Sequence, residues 1–203
     1  MTSNGLLLIL SGPSGTGKGT VVKSLLAGSP GIRLSVSATT RAPRPGEKDG
    51  KDYFFLAREK FQKMDKAGKM LESAEYCGNG YGTPLEPIEK WTSKGQDVIL
   101  EIEVQGGAQV KKKRPDAVGI FILPPSLKEL EQRLRSRGTE SDEVIRGRLQ
   151  AARKEISQAA YYDYVVINDT VESAAAQIRA IITAEKSSAG RNQELIERIL
   201  KDD

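Results

Sequence analysis

The stretch Leu6 to Thr20, LLLILSGPSGTGKGT, decides the fold. Five apolar residues, Leu6 to Leu10, lead into a turn that holds Gly12, Gly15 and Gly17, and Lys18 follows where a helix through Val21, Val22, Leu25 and Leu26 begins. An apolar run without polar alternation is the pattern of a strand buried on both faces. The Gly12 to Lys18 spacing fits G-x-x-x-x-G-K. In that motif glycines let successive backbone N–H groups converge on phosphate oxygens, and the helix N-terminus adds about half a positive charge. Lys18 then serves the outer phosphates as a mobile point charge. Gly12, Pro13, Ser14, Gly15, Thr16, Gly17, Lys18, Gly19 and Thr20 are therefore expected to bind the phosphates of a nucleotide. Gly19 stands where the general motif has the Ser or Thr that touches Mg²⁺, and the hydroxyl comes one residue later, at Thr20. A metal here needs other oxygen ligands.

The segments around this unit extend it. The first helix is expected to stop where Gly28, Ser29, Pro30 and Gly31 cluster, and Ile32 to Ala38 alternates weakly, as a strand does. In DVILEIEVQGG, residues 97–107, Val98, Ile99, Leu100 and Ile102 predict a second buried strand. Glu101 and Glu103, two residues apart, are expected to share a face near its C-terminal end. Val118 to Leu123, closed by Pro124 and Pro125, and YVVIN at 164–168 read as further strands. Helices are expected over 58–70, ended by Gly68, around Ile88 and Trp91, and over 126–136, where Ser126 and Glu129 are spaced as a capping box. Two more close the chain, over 171–186 and 191–201. In the last, Leu195, Ile196, Ile199 and Leu200 form an apolar stripe that packs on this chain's own core or on a second subunit.

Alternating strand and helix predicts an α/β fold, an open, mostly parallel sheet with helices on both faces. Its ligand sits at the C-terminal ends of the strands. Acidic residues ending such a strand beside a phosphate loop suit Mg²⁺, a hard cation that takes oxygen ligands, so Glu101 joins Thr20 as a candidate ligand that makes up for Gly19.

Composition narrows the chemistry. A length of 203 residues fits one domain, and 38% hydrophobic with 29% charged residues is ordinary for a soluble enzyme. No apolar run reaches the length of a bilayer, and MTSNG lacks the basic segment of a signal peptide, so a cytoplasmic protein without a membrane partner is expected. Cys77 is the one cysteine, which excludes an internal disulfide, and the absence of histidine removes the commonest general base. The chemistry must run on Lys, Arg, Glu, Asp and hydroxyls. A net charge of +4 raises the question of nucleic acid. The arginines, however, gather in 33–44 and 133–153 with few aromatics among them, which argues against a nucleic-acid partner. Lys111-Lys112-Lys113-Arg114 reads as a solvated helix end.

Two stretches remain. SATTRAPRPGEKDGKDYFF, 37–55, is an irregular loop whose Arg41 and Arg44 carry fork-shaped donors suited to phosphate, pinned by Tyr53, Phe54 and Phe55. MLESAEYCGNGYGTP, 70–84, sets Glu72 and Glu75 near two tyrosines and a Gly-rich turn at 78–82. With these, GPSGTGK at 12–18, SATTRAPRPGE at 37–47, GKDYFF at 50–55, GNGYGTP at 78–84, LEIEVQG at 100–106, RGTES at 137–141 and VIND at 166–169 stand in the order seen in guanylate kinases. The chain resembles that family over about residues 5–186.

The resemblance implies ATP-dependent phosphorylation of GMP, or dGMP, with Mg²⁺, by a monomer or homodimer. It implies a P-loop NTPase-type core at 1–35, 90–125 and 158–203, a small α+β GMP-binding insertion at 36–89 and a helical lid at 126–157. Glu72 fits guanine on chemical grounds, because a carboxylate accepts from both N1–H and the N2 amino group, and Ser37 and Thr83 resemble the family's hydroxyl partners of the base. Adenine would leave that carboxylate unsatisfied, a discrimination of roughly 10⁴-fold. Arg41, Arg44, Tyr53 and Tyr81 match positions that hold the GMP phosphate, with Glu47 in the same motif. Lys18, Arg41 and the lid residues Arg133, Arg137 and Arg148 would neutralise charge on the transferring group. Glu101 and Glu103, at GMP and metal positions, stand where many members carry aspartate, and Asn168 resembles an adenine-contacting residue.

Two other classes fit parts of the pattern. A non-catalytic guanylate-kinase-like interaction domain would not need Lys18 or the lid arginines, and a kinase for AMP or a pyrimidine nucleotide would not need Glu72 with Ser37 and Thr83. A GTPase would carry an N-K-x-D motif between 97 and 169, where there is none.

Overall fold

Leu6 to Leu10 are all at most 1% exposed, and their alternation explains why every one of them is apolar. The structure, a computed structural model, describes residues 4–136, 138 and 141–201. In it β1 (Leu7–Ser11) lies at the centre of a five-stranded parallel sheet with β2 (Ile32–Leu34), β7 (Asp97–Glu101), β8 (Val118–Leu123) and β9 (Tyr164–Ile167), in the order β2-β7-β1-β8-β9. Leu6, Leu8 and Leu10 face α1 (Lys18–Ala27) and α7 (Val171–Ser187), joining Val21, Leu25, Ala174 and Ile178 in one core cluster. Leu7 and Ile9 point the other way, into a second cluster with Ile88, Leu100 and Val110, from α3 (Leu85–Thr92), β7 and α4 (Val104–Lys113). Each such side chain contributes about 1.5–3 kcal/mol by burial. The expected α/β sheet with helices on both faces is present.

A buried carboxylate fastens the start of β7 to the start of β1 and to α7. Asp97, 2% exposed, accepts from the Leu6 N–H at 2.9 Å and pairs with Lys186 Nζ of α7 at 2.7 Å.

A second sheet lies within residues 38–84, with order β4-β3-β6-β5, from β3 (Ala38–Thr39), β4 (Phe54–Phe55), β5 (Met70–Tyr76) and β6 (Asn79–Pro84). Helix α2 (Arg58–Lys66) packs Phe61 against it. Residues 78–82, expected as a Gly-rich turn, are mostly strand. The turn is only Cys77 and Gly78, both at positive φ (48° and 72°), the primed geometry that joins two antiparallel strands without splaying them. Ile32 to Ala38, expected as one strand, is split between the two sheets.

Residues 97–107 differ from expectation as well. The strand stops at Glu101 and α4 starts at Val104, so Glu101 ends a strand while Glu103 caps a helix, and the two do not share a strand face. Gly106 and Gly107 are helical and buried, closely flanked by side chains: a Cβ on Gly106 would sit 3.1 Å from a Glu72 carboxylate oxygen, a tight contact, and one on Gly107 would sit 2.6 Å from the Tyr162 hydroxyl, which would have to move.

Helices α5 (Leu127–Arg135) and α6 (Asp142–Ile156) pair through Leu130, Leu134, Ile145 and Ala152. Ser126 caps α5 by accepting from the Glu129 N–H at 3.0 Å, but the Glu129 carboxylate turns to Arg133, so the capping box is half formed. The last helix, α8 (Gln193–Lys201), keeps its apolar stripe uncovered, with Leu195, Ile196, Ile199 and Leu200 between 42% and 74% exposed. No helix among the described residues is long and apolar enough to cross a membrane.

Candidate active site

The phosphate loop, residues 12–17, begins where β1 ends. Gly12, Gly15 and Gly17 have φ of 149°, 89° and 86°, and a Cβ on Gly12 would lie 2.2 Å from the Ile122 carbonyl, so the loop depends on glycine for conformation and for closeness to β8. Thr16, fully buried, folds the loop by donating from Oγ1 to the Pro13 carbonyl at 2.9 Å. Pro13 is buried and Ser14 exposed at the rim. Lys18 opens α1 and turns its ammonium back over the loop, donating to the carbonyls of Gly12 (2.5 Å) and Pro13 (3.1 Å). Burial lowers its pKa, opposed by the charges of Glu101, Glu155 and Glu103.

Lys18 with Gly12 and Ser14 lines a cavity of about 440 Å³, closed on its other sides by Ser37, Tyr53, Glu101, Glu103 and, from the end of α6, Glu155. A second cavity of about 320 Å³ is lined by Glu72, Tyr76, Tyr81 and Gly106. Ser37, Tyr53, Glu101, Ile102 and Glu103 line both, so the two are halves of one cleft at the C-terminal ends of β1 and β7.

At the far end Glu72 is 6% exposed and accepts from the Thr83 hydroxyl at 2.7 Å. Burial raises its pKa, against the lowering effect of the Thr83 hydrogen bond and of Lys113. Thr83, fully buried, gives its single hydroxyl proton to Glu72 and so holds that carboxylate. Strand β5, which carries Glu72, is fastened to α4 by Gln109, whose amide both donates to the Ser73 carbonyl (3.0 Å) and accepts from the Ser73 N–H (3.2 Å). Sequence reasoning missed Gln109, since nothing local to residue 109 signals a partner 36 positions away.

The phosphate-type arginine of 37–55 is also pre-set. Arg41 Nη1 and Nη2 form a two-point ion pair with Glu47, at 2.8 and 2.9 Å. The guanidinium lies 5.2 Å from the centre of the Tyr53 ring, and Tyr81 packs edge-on to Tyr53 at 6.2 Å. The Glu47 hydrogen bonds raise the Arg41 pKa, and Arg41 with the Arg44 N–H holds the Glu47 carboxyl down at about 2. Glu47 also accepts from the Arg44 N–H at 2.7 Å, while the Arg44 side chain is exposed. Glu47 is thus engaged in shaping the loop and orienting Arg41.

Of the metal candidates, Glu101 lies beside Gly19: a Cβ there would be 3.5 Å from its carboxylate. Although Glu101 has surface open to the cleft, protein atoms crowd its carboxyl, and desolvation raises its pKa against the pull of Lys18 and Lys23. Such an under-compensated carboxylate fits a hard cation. Thr20 is exposed on the first turn of α1.

Among the arginines expected in a lid, Arg148 of α6 reaches the loop, with Nη1 3.4 Å from Ser14 Oγ. Arg133 of α5 pairs with Glu129 at 3.0 Å and donates to the Asn168 carbonyl at 3.1 Å. Arg137 lies outside the described residues. Asn168 is buried, 3% exposed, beneath the phosphate loop.

Comparison with known proteins agrees with this geometry. The sequence model of the guanylate kinase family matches residues 4–185. The guanylate kinase of Desulfitobacterium hafniense is 52% identical over 189 residues, covering 93% of this chain and 94% of its own. That of Symbiobacterium thermophilum is 50% identical over 198 residues, covering 97% and 94%. The crystal structure of guanylate kinase from Anaplasma phagocytophilum superposes with a TM-score of 0.76 at 40% identity, covering 97% of this chain and 95% of its own.

Proposed function

Because the chain belongs to the guanylate kinase family, we propose that the two halves of its cleft take the two nucleotides, and that the residues lining them divide the labour of transfer. The protein is a nucleoside monophosphate kinase that moves the γ-phosphoryl group of ATP to GMP, giving ADP and GDP. The observation that carries the division of roles is the shared wall of Ser37, Tyr53, Glu101 and Glu103, which joins the Lys18 half to the Glu72 half.

In this reading residues 12–20 hold the ATP phosphates, and Lys18 leaves the Gly12 and Pro13 carbonyls to meet the transferring group. Glu72, held by Thr83, accepts from guanine N1–H and N2–H, and Ser37 lies at the junction near the base or its phosphate. Arg41, backed by Glu47, with Arg44, Tyr53 and Tyr81, binds the GMP phosphate and points its oxygen at the γ-phosphorus. Arg133, Arg137 and Arg148 bring positive charge from 126–157, which acts as a lid over the insertion at 36–89 and the core. No side chain needs to act as a strong base, since phosphoryl transfer is driven by alignment and charge stabilisation. Mg²⁺ supplies further neutralisation of the triphosphate when bound, and Glu101, beside Gly19, would hold it together with Thr20 on the first turn of α1.

Lys18 over the loop and Arg148 at Ser14 speak against the interaction-domain alternative, which requires neither. We also propose that the protein works in the cytoplasm, where ATP and GMP are at hand. Chromatography of a reaction with ATP, Mg²⁺ and GMP tests the proposal: ADP and GDP should form in equal amounts, and ADP without GDP would reject it.

A further inference from the structure

We propose that Gln109 and Lys113 are positioning residues for base selection: from one face of α4 they hold the edge strand β5, so that the Glu72 carboxylate keeps its place in the cleft. This rests on the reading of Glu72 as the guanine acceptor. β5 is the outer strand of the sheet β4-β3-β6-β5, so on one side its backbone groups have no strand to pair with. Helix α4 takes the place of that strand. The Gln109 side chain presents an N–H and a C=O together, as a peptide group does, and uses both on one residue: Nε2 donates to the Ser73 carbonyl at 3.0 Å and Oε1 accepts from the Ser73 N–H at 3.2 Å. One turn on, Lys113 Nζ donates to the Met70 carbonyl at 3.0 Å. In sequence this lysine belongs to a basic run that reads as a solvated helix end, and the structure gives it a partner in the inserted sheet.

Gly106, Gln109 and Lys113 stand at i, i+3 and i+7, on one side of α4. They meet neighbouring parts of β5: the Glu72 carboxylate lies against Gly106, the Ser73 backbone at Gln109 and the Met70 carbonyl at Lys113. Ser73 is gripped by its side chain too, where Oγ donates to Asp65 of α2 at 2.8 Å. The residue next to Glu72 therefore has little freedom. At its other end α4 starts after Glu103, in the wall shared by the two halves of the cleft. One helix thus sets the span between that wall and the selecting acid. Lys113 also adds charge: burial raises the Glu72 pKa, and after the Thr83 hydrogen bond the charge of Lys113 is the next influence against that rise. Gln109 is half-buried and Lys113 exposed, so water can replace either at the strand backbone, and their loss should cost placement more than folding.

The test compares GMP with IMP, which lacks the N2 amino group and gives a carboxylate one donor instead of two. The ratio of kcat/KM for GMP to that for IMP therefore reports how well Glu72 is placed. In Gln109→Ala, and in Lys113→Met, which keeps the stem, this ratio should fall about tenfold through a higher KM for GMP. The KM for ATP should stay unchanged and the melting temperature within a few degrees of the parent. Gln109→Glu, which cannot donate to the Ser73 carbonyl, should lower the ratio as well and carries the result if the alanine variant does not fold. A ratio unchanged in either position, with GMP and IMP losing equally or not at all, would overturn the role of that residue. A parent protein that does not prefer GMP to IMP would instead refute Glu72 as the guanine acceptor, which is a separate outcome.

Discussion

The Thr83 hydroxyl donates to the Glu72 carboxylate at 2.7 Å across the β5–β6 pair, and this contact orients the most buried acid of the cleft. One carboxylate oxygen is held by Thr83 while the other lies against Gly106. One oxygen is thus fixed by a hydrogen bond while the second borders the wall that α4 forms at Gly106.

From this follows a pH dependence. Burial raises the Glu72 pKa above the ordinary carboxylate range, and only the ionised form can accept from both guanine donors. kcat/KM for GMP should fall as pH drops through that raised value, at a pH where an ordinary glutamate is still charged. The sign for stability is opposite: with its folded pKa above its unfolded one, Glu72 favours the free fold in acid and loses that contribution as pH rises through the folded value. Glu72→Gln should remove both effects and lower kcat/KM for GMP about a hundredfold or more, leaving the KM for ATP nearly unchanged. Rate profiles and thermal melts between mild acid and neutrality check both limbs.

Glu47→Ala should act on GMP through Arg41. Without its two-point partner the guanidinium regains freedom over Tyr53, and the KM for GMP should rise about threefold to tenfold with kcat little changed. A direct Glu47 contact to substrate would instead lower kcat as well.

Gly106→Ala separates packing from recognition. Alanine suits a helix better than glycine by about 1 kcal/mol, yet its Cβ would press on the Glu72 carboxylate at 3.1 Å. The expected outcome is a melting temperature within a few degrees of the parent and a several-fold higher KM for GMP. A variant unchanged in both would show that Glu72 has slack at this wall.

Much of this site could be read in advance, for reasons visible in particular residues. β1 and its loop declared themselves because Leu6 to Leu10 are buried on both faces and because Gly12, Gly15 and Gly17 each meet a local demand. The β5–β6 hairpin was obscure because Glu72, Glu75, Gly80 and Gly82 interrupt a period of two, the first for the cleft and Gly82 because the Glu72 carbonyl lies 2.7 Å from where its Cβ would stand. The start of α4 carried no signal either, since Glu103 caps it without a side-chain hydrogen bond, and Gly106-Gly107 resembles a turn in sequence. Gln109 to Ser73 and Asn168 to Thr16 join residues far apart, so no window of sequence contains them.

Helix α8 makes a separate prediction. None of its residues is buried, so ending the chain after Asn192 should shift the melting temperature by no more than about 2 °C in dilute solution. A larger fall would mean that its apolar face is covered.

The central claim is that one cleft joins an ATP-phosphate half to a guanine-selecting half, and a coupled assay of ADP formation tests it most directly. ATP and Mg²⁺ are supplied with GMP, AMP, CMP or UMP in separate reactions. Turnover with GMP far above the other three is the predicted result. Equal turnover with AMP, or none with any of them in protein that still binds ATP, would contradict it.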